Sequence, residues 1–338
     1  MAGFISRRNI VLGASGAAIS NSLFIRSGSA AVRPTRITIA NASGGLNLTM
    51  AALMRQEKFL QSFDLDPDVL QVADGSKILG GVVGGSVDAS MMAGFGQVFP
   101  AVERGASIKI LGGGALLPTL ALYTGKPNVK SLKDLEGRTV GTGSVGALVY
   151  QLTVTLLKKY KVDISKVKFV DIGASSDIFR AVSAGTVDAG AGEAALIEDA
   201  AKYHVRLIPH GNMSVELTEY TFQGAWASDQ RIATKRDALV RTLAAYAKLY
   251  RFVQNPHSKE AFLRASRAAF SNASEHDHEL QWDYIQTYKP FAVDLTLSPE
   301  RLRYMQELNV RFKIQKKVLP LARVADMSLA ADAVKLLG

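Results

Sequence analysis

The sequence predicts an α/β protein of two similar lobes, and three observations carry that expectation. Ile178 to Leu196, IFRAVSAGTVDAGAGEAAL, reads as an amphipathic helix, a glycine stop, a short strand and a loop carrying Glu193. The same order stands a hundred positions upstream in Ile78 to Gln97, ILGGVVGGSVDASMMAGFGQ, where Gly85, Val87, Asp88 and Ala89 match Gly185, Val187, Asp188 and Ala189. At 338 residues, with 48% hydrophobic and 21% charged, the chain exceeds one typical core and has an ordinary globular composition. Doubled units of this kind place a ligand between the lobes, at the carboxyl ends of strands. Gly85 and Gly185 read as left-handed helix stops, and Asp88 and Asp188 as turn-holding side chains rather than reactive groups.

At the start, Ser6-Arg7-Arg8-Asn9-Ile10-Val11-Leu12 is a twin-arginine export signal, with a weakly apolar segment to Ile25 and Gly28-Ser29-Ala30-Ala31 as the cleavage region. Gly13, Ser15, Gly16, Ser20, Asn21 and Ser22 interrupt the apolar run, against a spanning helix of ~20 apolar residues. Cleavage is expected after Ala30 or Ala31. The absence of cysteine excludes disulfides, thiolate metal sites and cysteine nucleophiles. Of 40 basic residues against 30 acidic, three arginines belong to the leader, which leaves a net charge of +7. That excess is scattered. Lys158-Lys159-Tyr160-Lys161 closes a helical pattern, where cations suit the dipole, and no basic patch with interleaved aromatics points to nucleic acid.

Along the rest, Arg36 to Asn41 alternates as a strand, runs into Ser43-Gly44-Gly45-Leu46, and is followed by helical spacing from Leu48 to Phe59. That loop is either a tight turn or a place where backbone N–H groups at a helix start face a ligand. Further strands are expected at Asp68 to Ala73, Val87 to Met92 and Ile108 to Leu111, with helices at Lys77 to Val83 and Val98 to Arg104. Leu120 to Tyr123 leads to the capped turn Ser131 to Gly137, and the first crossing between lobes is placed here. The second lobe continues through strand Arg138 to Gly141, helix Leu148 to Tyr160, strand Lys168 to Asp171, the Ile178 helix, the Val187 strand and strand Val205 to Pro209. Near Thr221 to Ala227, TFQGAWA, the chain crosses back. Helical patterns then run through Ala238 to Val253, Lys259 to Phe270, Glu279 to Thr287 and Pro299 to Ile314, expected to pack on the first lobe. The resulting division is 1–31 leader, 32–122 with 224–338 lobe 1, and 123–223 lobe 2.

Gly141-Thr142-Gly143-Ser144-Val145-Gly146 fits the dinucleotide fingerprint G-x-G-x-x-G, with Asp171 ending the next strand. The alternative function is therefore an exported nicotinamide-dependent oxidoreductase using the Gly141, Gly143, Gly146 loop. Two features oppose it: few strands follow the match, and a cofactor domain leaves the doubled Gly-x-Val-Asp-Ala unexplained. No P-loop is present, no triad is identifiable around Ser144, and His276-Asp277-His278-Glu279 reads as a first helical turn capped by Ser274 rather than a metal site.

The ordered set of twin-arginine leader, SGGLN, GGSVDASMMAGFGQ, SLKDLEGRTVGTGSVG, AVSAGTVDAGAGEAAL and helical tail resembles the periplasmic substrate-binding proteins of ABC importers, in the nitrate/sulfonate/taurine and thiamine-precursor group. The resemblance implies a type II periplasmic binding protein fold, two α/β lobes joined by two crossover segments. It implies a non-enzymatic, monomeric, periplasmic solute binder without cofactor or metal, whose partners are a small molecule and an inner-membrane permease with a separate ATPase subunit. Ligand contacts implied by position are Ser43, Gly44, Gly45 and Leu46, then Phe95, then Ser144, Val145 and Gly146. Glu193 stands where many members have Glu-Pro, with Ala194 replacing the proline here. Pyrimidine-making relatives use a cysteine-rich segment that this chain lacks. Phe95, Tyr123 or Trp226 is expected to offer a stacking face, with Gln223 on the return crossing beside it. Helix amino termini favour an anionic group and an ionised Glu193 favours an amine or other donor; both hold for a zwitterion or a heteroaromatic.

Overall fold

The computed structural model describes residues 34–73 and 75–338, so the expected twin-arginine leader and cleavage region lie outside the described residues. In chain order the elements are β1 (Thr35–Ala42), α1 (Gly45–Gln56), β2 (Leu65–Val72), α2 (Gly75–Val83), β3 (Ala89–Ala93), α3 (Val98–Glu103) and β4 (Ile108–Gly113). There follow β5 (Leu120–Thr124), β6 (Thr139–Thr142), α4 (Leu148–Lys159), β7 (Lys168–Asp171), α5 (Ser175–Ser183), β8 (Ala189–Glu193), β9 (Arg206–Asn212) and α6 (Met213–Glu216). The chain ends through β10 (Gly224–Ser228), α7 (Asp229–Val253), α8 (Lys259–Ala269), α9 (Glu275–Tyr288), α10 (Pro299–Arg311), α11 (Leu321–Val324) and α12 (Ser328–Lys335).

The strands form two five-stranded sheets of the same design, ordered β2-β1-β3-β10-β4 and β7-β6-β8-β5-β9. In each, three strands run parallel and the fourth in spatial order, β10 or β5, pairs antiparallel with both neighbours. Those two antiparallel strands are the first that the chain lays down after changing sheet. The switch into the second sheet comes before Leu120, not after Leu122, because the whole of β5 pairs with β8 and β9. The two crossings run side by side: Gly114 N–H donates to the Gln223 carbonyl at 3.0 Å and Gln223 N–H to the Ala115 carbonyl at 2.9 Å.

The doubled Gly-x-Val-Asp-Ala is one device used twice. Gly85 and Gly185 end α2 and α5 with φ of 77° and 72°, a region that favours glycine. The chain then turns so that Asp88 N–H donates to the Thr38 carbonyl and the Asp88 carboxylate accepts from Thr38 N–H, both at 2.9 Å. Asp188 repeats this on Thr139, at 3.0 Å and 2.9 Å, and also accepts from the Thr139 hydroxyl. Each aspartate thus fixes the strand that follows it, the central one of its sheet, against the neighbouring β1 or β6. Both are structural.

Alternation in AGAGE explains how α5 lies so close to the second sheet. Gly190 and Gly192 face it, and a Cβ there would come within 2.5 Å of Ile178 Cγ2 and 2.4 Å of Phe179 Cδ2. The helical tail does more than cover the first lobe. α8 packs on α1 and α12 on α7, but α9 also packs on the turn after β8. Tyr203 donates to Asp277 at 3.0 Å, and Ser214 and Tyr284 hydroxyls meet at 3.0 Å. The expectation that the tail packs on one lobe is corrected by these polar contacts, which a hydrophobic pattern does not reveal. Among the described residues no helix is long and apolar enough to cross a membrane.

Replacing Asp88 or Asp188 by alanine removes charge-assisted backbone bonds and should lower stability by about 2 kcal/mol each, read as a shifted urea midpoint. Midpoints equal to the parent's would contradict the bracing role.

Candidate functional site

Every loop that follows a parallel strand reaches one cavity between the sheets. It is lined by Ala42, Ser43 and Gly44 after β1, Ala73 and Gly75 after β2, Ala93 and Gly94 after β3, Gly143 and Ser144 after β6, Gly173 to Ser175 after β7, and Glu193 at the end of β8. Thr119, Phe222 and Gln223 close it from the two crossings. This is the carboxyl-end rule of open α/β sheets applied from both sides of a cleft. The cavity measures about 70 Å³, room for roughly five waters at ~10–15 Å³ each.

Four helices, α1, α2, α4 and α5, begin at its wall. Gly44, Ala147 and Ala174 occupy the N-cap positions of α1, α4 and α5, and none supplies a side-chain acceptor. Away from the cleft, α7, α9 and α10 start with Ser228, Ser274 and Ser298, each accepting from a backbone N–H of its helix. Serine, threonine, aspartate or asparagine is the common choice at this position because it satisfies the first N–H groups. At α1, α4 and α5 the sequence withholds that oxygen, and each helix start carries roughly half a positive charge. Among the described residues no lysine, arginine or histidine lines the cavity.

Glu193 bridges the lobes. Its Oε1 accepts from Gly45 N–H of the first lobe at 3.2 Å and from the Ser175 hydroxyl of its own lobe at 2.9 Å. Burial pushes the carboxyl up to about 7, against these two hydrogen bonds, which favour the charged form. Gly45 is required by the close approach, since a Cβ there would stand 2.8 Å from Glu193 Cγ. Gln223 is 2% exposed, and its Oε1 has no hydrogen-bond partner. Gln97, whose Nε2 donates to the Gly75 carbonyl at 2.6 Å, likewise leaves its Oε1 without one. A second lobe-to-lobe contact joins the Ser76 and Ser144 hydroxyls at 3.5 Å.

Of the residues named from sequence, Ser43, Gly44, Leu46, Ser144, Glu193 and Gln223 line the cavity, and Gly45 reaches it through Glu193. The expected stacking faces are not there. Phe95 is fully buried edge-on to Phe99, and Trp226 is fully buried in β10. Tyr123 lies inside the second sheet, packed edge-on to Phe179, and its hydroxyl donates to the Glu193 carbonyl at 2.7 Å, so it positions Glu193 from behind. Val145 is exposed, and Gly146, with φ of 84°, lies with it outside the cavity lining. Ser175, Asn47, Thr119 and Gln97 went unnamed. Gly173-Ala174-Ser175 follows a strand and opens a helix, the grammar that flagged Ser43 to Leu46, and would have pointed to Ser175. The histidine cluster is a helix start, with Ser274 and Asp277 in a capping box and His278 buried against Ser266.

Residues 52–279 match the sequence model of the family described as NMT1/THI5 like. This chain belongs to the NMT1/THI5-like family. The NMT1/THI5-like chain has the periplasmic binding protein fold, as its solved neighbours show. It superposes on the alkanesulfonate-binding protein SsuA from Xanthomonas axonopodis pv. citri bound to MOPS with a TM-score of 0.69, at 17% identity over 90% of this chain and 99% of that one. The periplasmic nitrate-binding protein NrtA from Synechocystis PCC 6803 gives 0.71, at 12% identity over 90% and 89%. The desulfurization enzyme DSZB gives 0.61, at 13% identity over 90% and 100%. No curated protein matches the sequence.

A carboxyl raised in the folded state keeps its proton when the unfolded chain has released it, so stability falls as pH rises from about 4.5 toward 7. The melting temperature of the parent should therefore drop relative to Glu193→Gln across that window. A constant difference between the two from pH 4.5 to 8 would contradict the buried position of Glu193.

Proposed function

We propose that this protein is the solute-binding component of an ABC import system, exported by the twin-arginine route and delivering its solute to a membrane permease with a separate ATPase. The observation that carries the reading is the set of helix starts without capping side chains around one cavity that both lobes share. Such starts hold an acidic group by backbone N–H donors and dipoles, with no cation needed. Glu193 and Gln223 supply acceptors a short distance away, which suits an amine or another donor on the same molecule. The class favoured is thus a small amino-sulfonate, an amino acid-like zwitterion or a polar heteroaromatic rather than a bare inorganic anion. Ser43, Gly44, Gly45, Leu46 and Ser144 are the proposed contacts beside Glu193 and Gln223, with Ser175 added. Because the contacts come from two lobes, a solute shifts the molecule toward the closed arrangement by binding it more tightly than the open one.

The rival nicotinamide reading finds little support in the sheet around Gly141 to Gly146, which has five strands with β5 antiparallel instead of the two-half parallel sheet of dinucleotide enzymes. A thermal-shift screen across sulfonates, amino-sulfonates, pyrimidines and aromatic carboxylates, followed by small-angle scattering on the best hit, tests the proposal. A stabilising solute that is recovered unchanged and compacts the protein is expected. Stabilisation by nicotinamide cofactors alone, or chemical conversion of the hit, would overturn it.

A further inference from the structure

The tightest basic run of the sequence, Lys158-Lys159-Tyr160-Lys161, closes α4, and the fold brings it opposite the end of α10. Between the two helices runs a groove of about 850 Å³, the size of a ligand pocket, whose walls carry Lys158, Lys161 and Arg311 over an apolar lining that includes Leu217, Leu308 and Phe312. α4 belongs to the second lobe, whereas α10 is tied to the first by Asn309, whose Nδ2 donates to the Gly96 carbonyl at 2.7 Å. The groove is remote from the solute cavity. That cavity lies at the amino end of α4, and a helix of 12 residues is ~18 Å long at ~1.5 Å per residue. Charge in the groove is not balanced from within. Lys159 is engaged, with its Nζ 2.9 Å from Glu216 Oε2, which also accepts from the Tyr160 hydroxyl at 2.6 Å, while His210 Nδ1 lies 3.1 Å from Oε1. Among the described residues no carboxylate pairs with Lys158, Lys161 or Arg311, and Glu219 is the remaining acidic group of the lining. Helix dipoles favour cations in a last turn, which accounts for Lys158 on α4 and for Arg311 on α10 taken singly. They do not account for two such ends, from different lobes, meeting across one groove.

We propose that this groove docks a partner protein by an acidic, extended segment, one with glutamates or aspartates around an apolar side chain. Charge complementarity carries the choice: three cations without carboxylate partners face one groove, and Arg311 can take a carboxylate through two N–H groups at once. The floor selects further. Leu217 and Leu308 offer apolar surface to a side chain of the segment, burial that a free inorganic anion cannot supply. Shape and ring access exclude the other polyanions. A bilayer presents its charge on a flat face, which does not follow a groove between two helices. Single-stranded nucleic acid binds by stacking on open aromatic faces, and the Phe312 ring is covered by Lys158, with Nζ 4.4 Å from its centre. That contact places the ammonium above an apolar ring at the groove wall, where a carboxylate of the segment reaches it. A docked segment touches both lobes, at a distance from the solute, so the surface serves its partner whatever the cleft holds.

Fluorescence anisotropy of the full chain tests this with a labelled peptide of glutamates interrupted by two leucines, set against the same peptide with glutamine for glutamate. At low salt the acidic peptide should bind ten or more times tighter than its glutamine counterpart, and should weaken as sodium chloride is raised. Lys158→Glu and Arg311→Glu should each weaken it fivefold or more, whereas Lys58→Glu, at an exposed cation after α1, should leave it unchanged. Thermal melts check folding, and Lys158→Gln and Arg311→Gln replace any reversal that does not fold. Absence of acidic-peptide binding, equal binding of the two peptides, or binding unchanged in the folded groove variants would each overturn the proposal. So would tighter binding of oligothymidylate or of phosphatidylglycerol vesicles that is lost in the same variants, since the groove would then serve nucleic acid or a membrane. None of these outcomes bears on the solute cavity, so the solute-binding reading stands or falls separately.

Discussion

The structure depends on how the first N–H groups of four helices are satisfied where two sheets face each other. A helix start that is neither capped nor solvated costs free energy, and a chain does not ordinarily bring several of them together. Here β1-α1, β2-α2, β6-α4 and β7-α5 each turn from strand to helix at the same cavity, with glycine or alanine where a capping oxygen would stand at α1, α4 and α5. The two matching sheets, the paired aspartate braces and the adjacent crossings keep those turns aimed at each other. The cavity is the result of that aim.

Glu193 is the group that reconciles the lobes in this arrangement. It ends β8 on the second sheet and accepts from the first N–H of α1 on the other lobe, so one carboxylate does what an external acid would do at the same place. Desolvation works against its charge, which makes the bridge easier to exchange than a fully ionised cap. Tyr123 holds the backbone behind it and Gly45 leaves it space, so one residue from each lobe fixes where the bridge falls.

Much of this was legible in the sequence, and the misses have physical causes. The doubled Gly-x-Val-Asp-Ala announced two like lobes, and the strand–glycine–helix runs at Ser43 to Leu46 and Gly141 to Gly146 pointed to the cavity. The α9 cap at Ser274 was equally plain from its spacing. Sheet order was not legible, since β5 and β10 join their sheets through pairings far apart in the chain. The aromatic residues were misplaced for the same reason: Tyr123 and Trp226 sit on the antiparallel strand of each sheet, flanked on both edges, where no alternation tells core from cleft. The closing helix α12 escaped notice because eight residues carry too short a periodic signal.

The most direct test of the central claim is a crystal structure of the protein with a tightly bound acidic or zwitterionic solute. The account predicts an acidic oxygen within hydrogen-bond distance of backbone N–H groups at the starts of α1 and of α4 or α5, with Glu193 moved off Gly45. A solute held by one lobe alone, with Glu193 still on Gly45 and the helix starts untouched, would contradict it.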